Sequence, residues 1–439
     1  MEVLGVIGIA ISLVAIMYFI TKGFNGIFAA IVATIIVIVT NQMPFFEYLV
    51  GSEESFVTGL GNFIVQNYAI FLLGSILAKY MEASGATISI ANKVLDWVGK
   101  DNPYSVMVAI YIIAAILTYG GISMFVVVFA IIPIARPLFE KLDIAWNLVA
   151  IPAFGGMATF TMSMLPGTPA MPNVIPSTAL GTPLTSSPVI GIVTSIVAII
   201  FVLGYMKFEL NRSIARGEKY SDFAPSNVVA QTTEDKALPS VGLSFVPIVA
   251  LLAIIIAFSS TAYIVVIALA VAVILSAVLM HKYIPSQKTV INNGIVGSFG
   301  TIMVTGNTIA YGGILTAAPG FQVILDLIMD TPLSPLISLS IATIVVSFFT
   351  GSGVGTAGIA VQNFAPMYLE MGIDATLIHR IISISSSVFG IMPHTGLSIT
   401  FNEVANLSLK QNFKYQFVTV NVTHMIVLVV ALIMASFMY

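Results

Sequence analysis

The sequence predicts an all-α polytopic membrane protein built from two inverted-topology repeats. Each repeat has about five transmembrane helices plus one re-entrant hairpin, with broken helices at the site. Three observations lead there. Of 439 residues, 58% are hydrophobic and only 8% are charged, about a third of the roughly 25% charge that a soluble domain carries. Long apolar runs recur along the chain and the mean hydropathy is +1.04, as expected of helices in lipid. Gly- and Pro-rich interruptions fall within those runs at a near-constant offset. The absence of cysteine excludes a disulfide framework and a thiolate metal site. A net charge of −3 gives no basis for a nucleic-acid partner.

A span needs about 20 mostly apolar residues. Qualifying runs lie near Val3–Ile20, Phe24–Thr40, Phe63–Tyr80, Asn147–Leu165 and Ser187–Phe208. They resume near Val241–Phe258, Ala262–Met280, Ile295–Ile314, Ala375–Met392 and Tyr415–Met438. The first run lacks a basic flank and a small-residue cleavage site, so it reads as a retained span and not a signal peptide. Two further apolar regions, 104–135 and 335–369, are split by Gly-rich tips at Thr118–Ser123 and Thr350–Gly358. Their arms of about 15 residues reach roughly 22 Å, short for a core of about 30 Å. They are expected to be re-entrant hairpins, tolerable where protein or a cavity covers the irregular tips.

The two tips lie 232 residues apart, and the helix break at 165–176 is matched by another at 391–400. Residues 1–208 and 241–439 are therefore expected to be copies of one unit, joined by a charged cytoplasmic linker at 209–240. Five crossings and a hairpin turn the second copy upside down. With both termini outside, 15 of the 16 cationic side chains fall on the cytoplasmic side, as the positive-inside rule requires. Arg380 is the exception, and its place near the outer end of a span is expected to let it snorkel to the interface.

Inverted repeats with broken helices place a site near the membrane midplane. From Ile144 to Met206, and over Thr289–Leu325 and Thr331–Leu369, there is no Asp, Glu, Lys or Arg. The site is expected to use hydroxyls, amides and backbone N–H groups at half-helix N-termini, which suit an anion that must be bound and released repeatedly. In the first copy the substrate-binding candidates are Thr118, Gly120, Gly121 and Ser123 at the tip, with Gly167, Thr168 and Asn173 at the break. In the second they are Ser352, Gly353, Gly355 and Thr356, with His394, Thr395, Gly396 and Ser398. Glycine and proline can also serve only packing and kinks. Four such breaks in matched positions favour a site. Gly353, Gly355 and Gly358 spell GxGxxG, but no strand precedes them, so a dinucleotide site is rejected. His394 is the titratable side chain inside a break and the candidate for proton coupling.

The stretches LTYGGISMFVVVFAIIPIA (Leu117–Ala135), LPGTPAMPNVIPSTALGT (Leu165–Thr182) and MPHTGLSITF (Met392–Phe401) resemble the gluconate permease family of the ion transporter superfamily. The similarity runs over nearly the whole chain in order and spacing. It implies a bacterial inner-membrane symporter for gluconate or a related hydroxy acid, usually proton-driven. It also implies a homodimer with a scaffold and a mobile transport domain, moving as an elevator. Thr395 stands where familiar members often have Asn, and Ala170–Asn173 is less polar than their run, which leaves room for a short hydroxycarboxylate. No cofactor is expected beyond the coupling ion, H+ or alternatively Na+ held by unwound-backbone carbonyls and hydroxyls.

Two other classes compete. An intramembrane serine hydrolase would pair Ser123 with His424, but a duplicated, inverted architecture has no obvious use in a hydrolase. An anion channel would conduct without saturating, whereas a carrier concentrates its solute. HExxH is absent and the chain has four His in total, so no metal site is expected.

Overall fold

The computed structural model describes residues 2–438 apart from 23, 52, 99–101, 120–123, 169, 225–236, 259–262 and 330–333. Among the described residues every regular element is helical and no strand occurs. The first half opens with α1 (Glu2–Thr21) packed on α2 (Gly26–Thr40), then a short α3 (Phe45–Val50) and the 28-residue α4 (Phe56–Ala83). There follow α5 (Ala86–Val98), α6 (Pro103–Tyr119), α7 (Met124–Lys141), α8 (Ala150–Met157), α9 (Phe160–Ser163), α10 (Met171–Leu180) and α11 (Pro188–Ala215). The second half holds α12 (Val241–Ala257), α13 (Ile264–Leu279), the 31-residue α14 (Gln287–Ala317), α15 (Pro319–Met329), α16 (Pro335–Thr350), α17 (Gly353–Asn363) and α18 (Ala365–Glu370). It ends with α19 (Ala375–Ser385), α20 (Gly396–Ala405), α21 (Leu409–Phe417) and, beyond a π-helical turn at Val418–Val422, α22 (Thr423–Met438).

By length and composition, four helical stretches among the described residues suffice to cross a membrane: Val3–Ile20, Phe56–Ala83, Pro188–Ala215 and Leu409–Phe437. The central axis is the pair α4 and α14, which lie along one another. Around it the contacts recur with the halves exchanged. Helix α2 packs on α14 and α13 on α4; α1 meets α15 and α12 meets α5; α10 meets α17 and α20 meets α7. Helices α11 and α22, at corresponding places in the two halves, pack on each other.

Several expected spans differ in the structure. Asn147–Leu165 is not one helix. Thr159 Oγ1 donates to Gly155 O at 2.5 Å and Thr161 Oγ1 to Gly156 O at 2.8 Å, hydroxyl bonds that compete with the backbone ladder and end α8. The glycine at 156 is required for packing, because a Cβ there would lie 2.2 Å from the Tyr111 carbonyl of α6. The unwound stretch is 164–170, shorter than the expected 165–176, because α10 starts at Met171 with Pro172 in its first turn, where a missing N–H costs nothing. The second break begins earlier than 391–400. Helix α19 stops at Ser385 and α20 starts at Gly396, with Pro393 between them unable to donate a helical bond.

The expected linker from 209 is also shorter at its start. Helix α11 continues to Ala215 because Glu209, 1% exposed, is held by Lys414 Nζ at 2.6 Å and lies 3.8 Å from Arg212. Amphipathic α5 and α15 went unforeseen, since neither carries an apolar run long enough to read as a span.

Candidate functional site: a charge-free cavity at two helix N-termini

A cavity of about 460 Å³ lies between α4, α14, the α16–α17 turn and the second helix break. Among the described residues, no Asp, Glu, Lys or Arg lines it. It brings together six of the expected residues: Ser352, Gly353, Gly355, His394, Thr395 and Gly396. The N-terminal turns of α17 and α20 both open onto it. First-turn N–H groups have no intrahelical acceptor, and they carry the positive end of the helix dipole. An anion placed there meets donors without meeting a fixed counter-charge.

Each turn is shaped by its own side chains. Ser352 caps α17, its Oγ accepting from Gly355 N at 3.2 Å. Thr395 caps α20, its Oγ1 accepting from Ser398 N at 3.4 Å and from Met392 N at 3.4 Å. Gly351 joins α16 to α17 with a φ of +56°, a left-handed conformation that favours glycine. A Cβ on Gly351 would come within 2.6 Å of Thr395 Cγ2 and 3.1 Å of His394 Nε2, so the two breaks touch at this glycine. Ser347 Oγ donates to Ser386 O at 2.8 Å and accepts from Phe389 N at 3.1 Å, tying α16 to the unwound chain.

His394 is 2% exposed and lines the cavity, and neither of its ring nitrogens makes a hydrogen bond. The Phe349 backbone lies beside the ring. The Tyr311 ring stands edge-on to the imidazole, with 6.5 Å between centroids. A buried imidazole on the cavity wall offers a donor and an acceptor that a polar ligand can use.

The remaining expected residues have other partners. Thr356 Oγ1 bonds Thr350 Oγ1 at 2.8 Å, and Ser398 Oγ donates to Gln416 Oε1 at 2.6 Å. Thr118 Oγ1 donates within its own helix to Ala114 O at 3.0 Å. Gly120, Gly121 and Ser123 lie outside the described residues, although Met124 and Phe125, which begin α7, line the cavity. At the first break, Gly167 takes a φ of +83° and its N–H bonds Leu184 O at 3.1 Å. Thr168 Oγ1 donates to Thr161 O. Neither Gly167, Thr168 nor Asn173 lines the cavity; Pro172 does.

Asn173 is part of a buried knot. Its Nδ2 donates to Thr168 O at 2.9 Å and Leu184 O at 3.0 Å. That turns Oδ1 toward His379 Nε2 at 3.0 Å and Arg380 Nη1 at 3.3 Å. The amide orientation makes Nε2 of His379 the protonated nitrogen, leaving Nδ1 to accept from Thr182 Oγ1 at 2.7 Å. Arg380 is not at the interface as expected but fully buried. It donates to Ser163 O, Met164 O and twice to Ser186 O at 2.7–3.1 Å. The carbonyls freed where α9 ends and before α11 begins attract the guanidinium inward, and they satisfy it without a carboxylate.

Sequence reasoning missed Gln66 and Asn67 on α4, Thr308 and Thr316 on α14, and Ser387, all of which line the cavity. The spacing Thr308, Gly312, Thr316 marks one face of a helix and was a usable signal. His424, weighed as a hydrolase partner of Ser123, instead bonds Ser163: its Nε2 lies 3.0 Å from Ser163 Oγ, while Nδ1 donates to Val420 O at 2.7 Å.

The model of the GntP family permeases matches residues 3–438. An uncharacterized transporter, YxjC, of Bacillus subtilis (strain 168) is 30% identical, over 92% of this chain and 93% of its own. An uncharacterized transporter of Haemophilus influenzae is 26% identical, over 78% of each. The crystal structure of the Alcanivorax borkumensis YdaH transporter, described as having an unusual topology, aligns over 87% of this chain and 88% of its own, at 16% identity and a TM-score of 0.40, too slight a likeness to build on. The family match from end to end and the relative at 30% identity give the same answer: the chain belongs to the GntP permease family, and is a membrane transporter rather than an enzyme.

Proposed function

We propose that this permease imports a small organic anion, a gluconate-like or shorter hydroxycarboxylate, by cation symport. The observation that carries the reading is the cavity itself, free of charged side chains among the described residues and lined by two helix N-termini and the buried His394. The N–H groups of α17 and α20 would receive the carboxylate. Thr308, Thr316, Gln66 and Asn67 would meet the hydroxyls, and His394 would donate to or accept from either group.

The place of His394 on the cavity wall, as the titratable side chain among the described lining residues, supports proton coupling through it. A sodium-coupled reading draws on Asn421 Oδ1, a buried oxygen without a partner among the described residues, beside the second break where Asn421 Nδ2 donates to Ile391 O at 2.7 Å. The contacts exchanged between halves support two inverted copies related by a two-fold axis. With both termini outside, an elevator movement of the broken helices and hairpins against the rest, in a homodimer in a bacterial inner membrane, completes the proposal.

Uptake into proteoliposomes under an imposed proton or sodium gradient tests it. Saturable accumulation of a monocarboxylic hydroxy acid is expected. Uptake confined to dicarboxylates, sugars or cations, or flux that never saturates, overturns it.

A further inference from the structure

A second cavity of about 470 Å³ lies at the other end of α7, lined by residues of α4, α5, α7 and α20. It is separated from the first by an aromatic layer. Phe63, Phe71, Phe125 and Phe129 pack ring to ring with centroids 5.2–6.2 Å apart. Phe63 and Phe125 face the first cavity, and Phe129 faces the second. Helix α7 thus runs from one cavity to the other, from Met124 to Arg136.

Arg136 differs from the other charges around this second cavity. Lys79 is paired with Glu82 at 2.9 Å, and Lys141 bonds Asn92 Oδ1. The Arg136 guanidinium lies over the Trp146 ring at 5.6 Å, its Nε is buried without a hydrogen-bond partner, and it forms no salt bridge among the described residues. Glu140 and Glu403 also line the cavity and would repel an anion. Glu140 is exposed, so water and salt screen it more than they screen a guanidinium with a buried edge. The cation–π contact with Trp146 positions the guanidinium group, whose forked donors suit two-point recognition of a carboxylate.

We propose that this second cavity is the cytoplasmic release vestibule and that Arg136 is its anion-binding residue, receiving the substrate carboxylate on the inner side of the aromatic layer. The proposal rests on the anion and orientation readings above. Its signature is one-sided, because Arg136 reaches only the inner cavity.

The test is transport in oriented vesicles, measured from each face, with gluconate and lactate as separate probes. Arg136→Gln is expected to raise the KM at the cytoplasmic face at least tenfold and to leave the outer KM within twofold. Arg136→Lys, which keeps the charge and loses the fork, is expected to fall between. An equal shift at both faces, or no shift, overturns the proposal. A second measurement needs no loss of the arginine. Because the natural chain is free of cysteine, Ala78→Cys places one thiol on the vestibule wall. An impermeant maleimide should label it from the cytoplasmic side, and the transported probe should slow labelling at least threefold. Labelling from the outside, or a rate unmoved by the probe, overturns it. Failure of the transport reading itself looks different: the unsubstituted protein would take up no hydroxy acid at all.

Discussion

Arg380 Nη1 donates to Asn173 Oδ1 at 3.3 Å, joining two broken helices 207 residues apart in sequence. The same guanidinium holds the carbonyls of Ser163, Met164 and Ser186. One side chain of α19 therefore closes the first break, and the geometry of that break depends on the second half of the chain.

Replacing Arg380 tests that dependence. Arg380→Gln leaves several buried carbonyls without donors and is expected to lower stability by about 3 kcal/mol or more. Arg380→Lys keeps the charge but cannot reach three carbonyls at once, and is expected to cost more than about 1 kcal/mol. Thermal unfolding in detergent reads both. Unchanged midpoints would remove the knot from the fold's essential contacts.

His394 should behave in the opposite way. Its ring makes no side-chain hydrogen bond among the described residues, so His394→Gln should alter stability by less than about 1 kcal/mol. Substrate uptake should nevertheless fall at least tenfold. A variant that transports normally would place His394 outside the binding machinery.

Gly351→Ala meets both a positive φ and a crowded Cβ position. The conformation alone costs about 1–2 kcal/mol, and the added methyl presses on Thr395 and His394. Both a lower unfolding midpoint and a weaker substrate affinity are expected, the second as a rise in KM.

Acid stability carries a signature of Asp374, the N-cap of α19 in the loop before it. A hydrogen bond from Thr376 Oγ1 at 2.5 Å, with further bonds from Thr376 N and Leu377 N, holds its carboxyl below the usual range. A depressed folded pKa means that the native state binds fewer protons. The stabilisation is therefore present above the ordinary Asp value near 4 and is lost as pH falls through the lower folded value. Asp374→Ala is expected to cost about 1 kcal/mol at neutral pH and to show a shallower loss of stability as the pH falls below about 4. Unfolding midpoints measured across that range read the slope.

The second break was legible in its chemistry more than in its bounds, since the unwound stretch runs over 386–395 and not 391–400. Pro393, the capping Thr395 and the glycines at 351, 353 and 396 are local signals, and the backbone turns they demand are where the cavity forms. The first break was legible only as a break. Asn173 and Thr168 have the right chemistry for a ligand, but their bonds go to His379 and to neighbouring carbonyls. Nothing in the local pattern tells an amide facing a substrate from one facing a histidine 206 residues away.

Composition, periodicity and motif order were enough to make the chain a helical membrane transporter of its family, because the cost of burying charge in lipid leaves its mark on every span. The burial of Arg380, the Gln66 and Thr308 faces that complete the cavity, and the unpartnered imidazole of His394 were decided by the tertiary structure alone. Each depends on which carbonyls and hydroxyls distant helices bring within about 3 Å, and hydrogen bonds over that range are set by packing, not by sequence spacing.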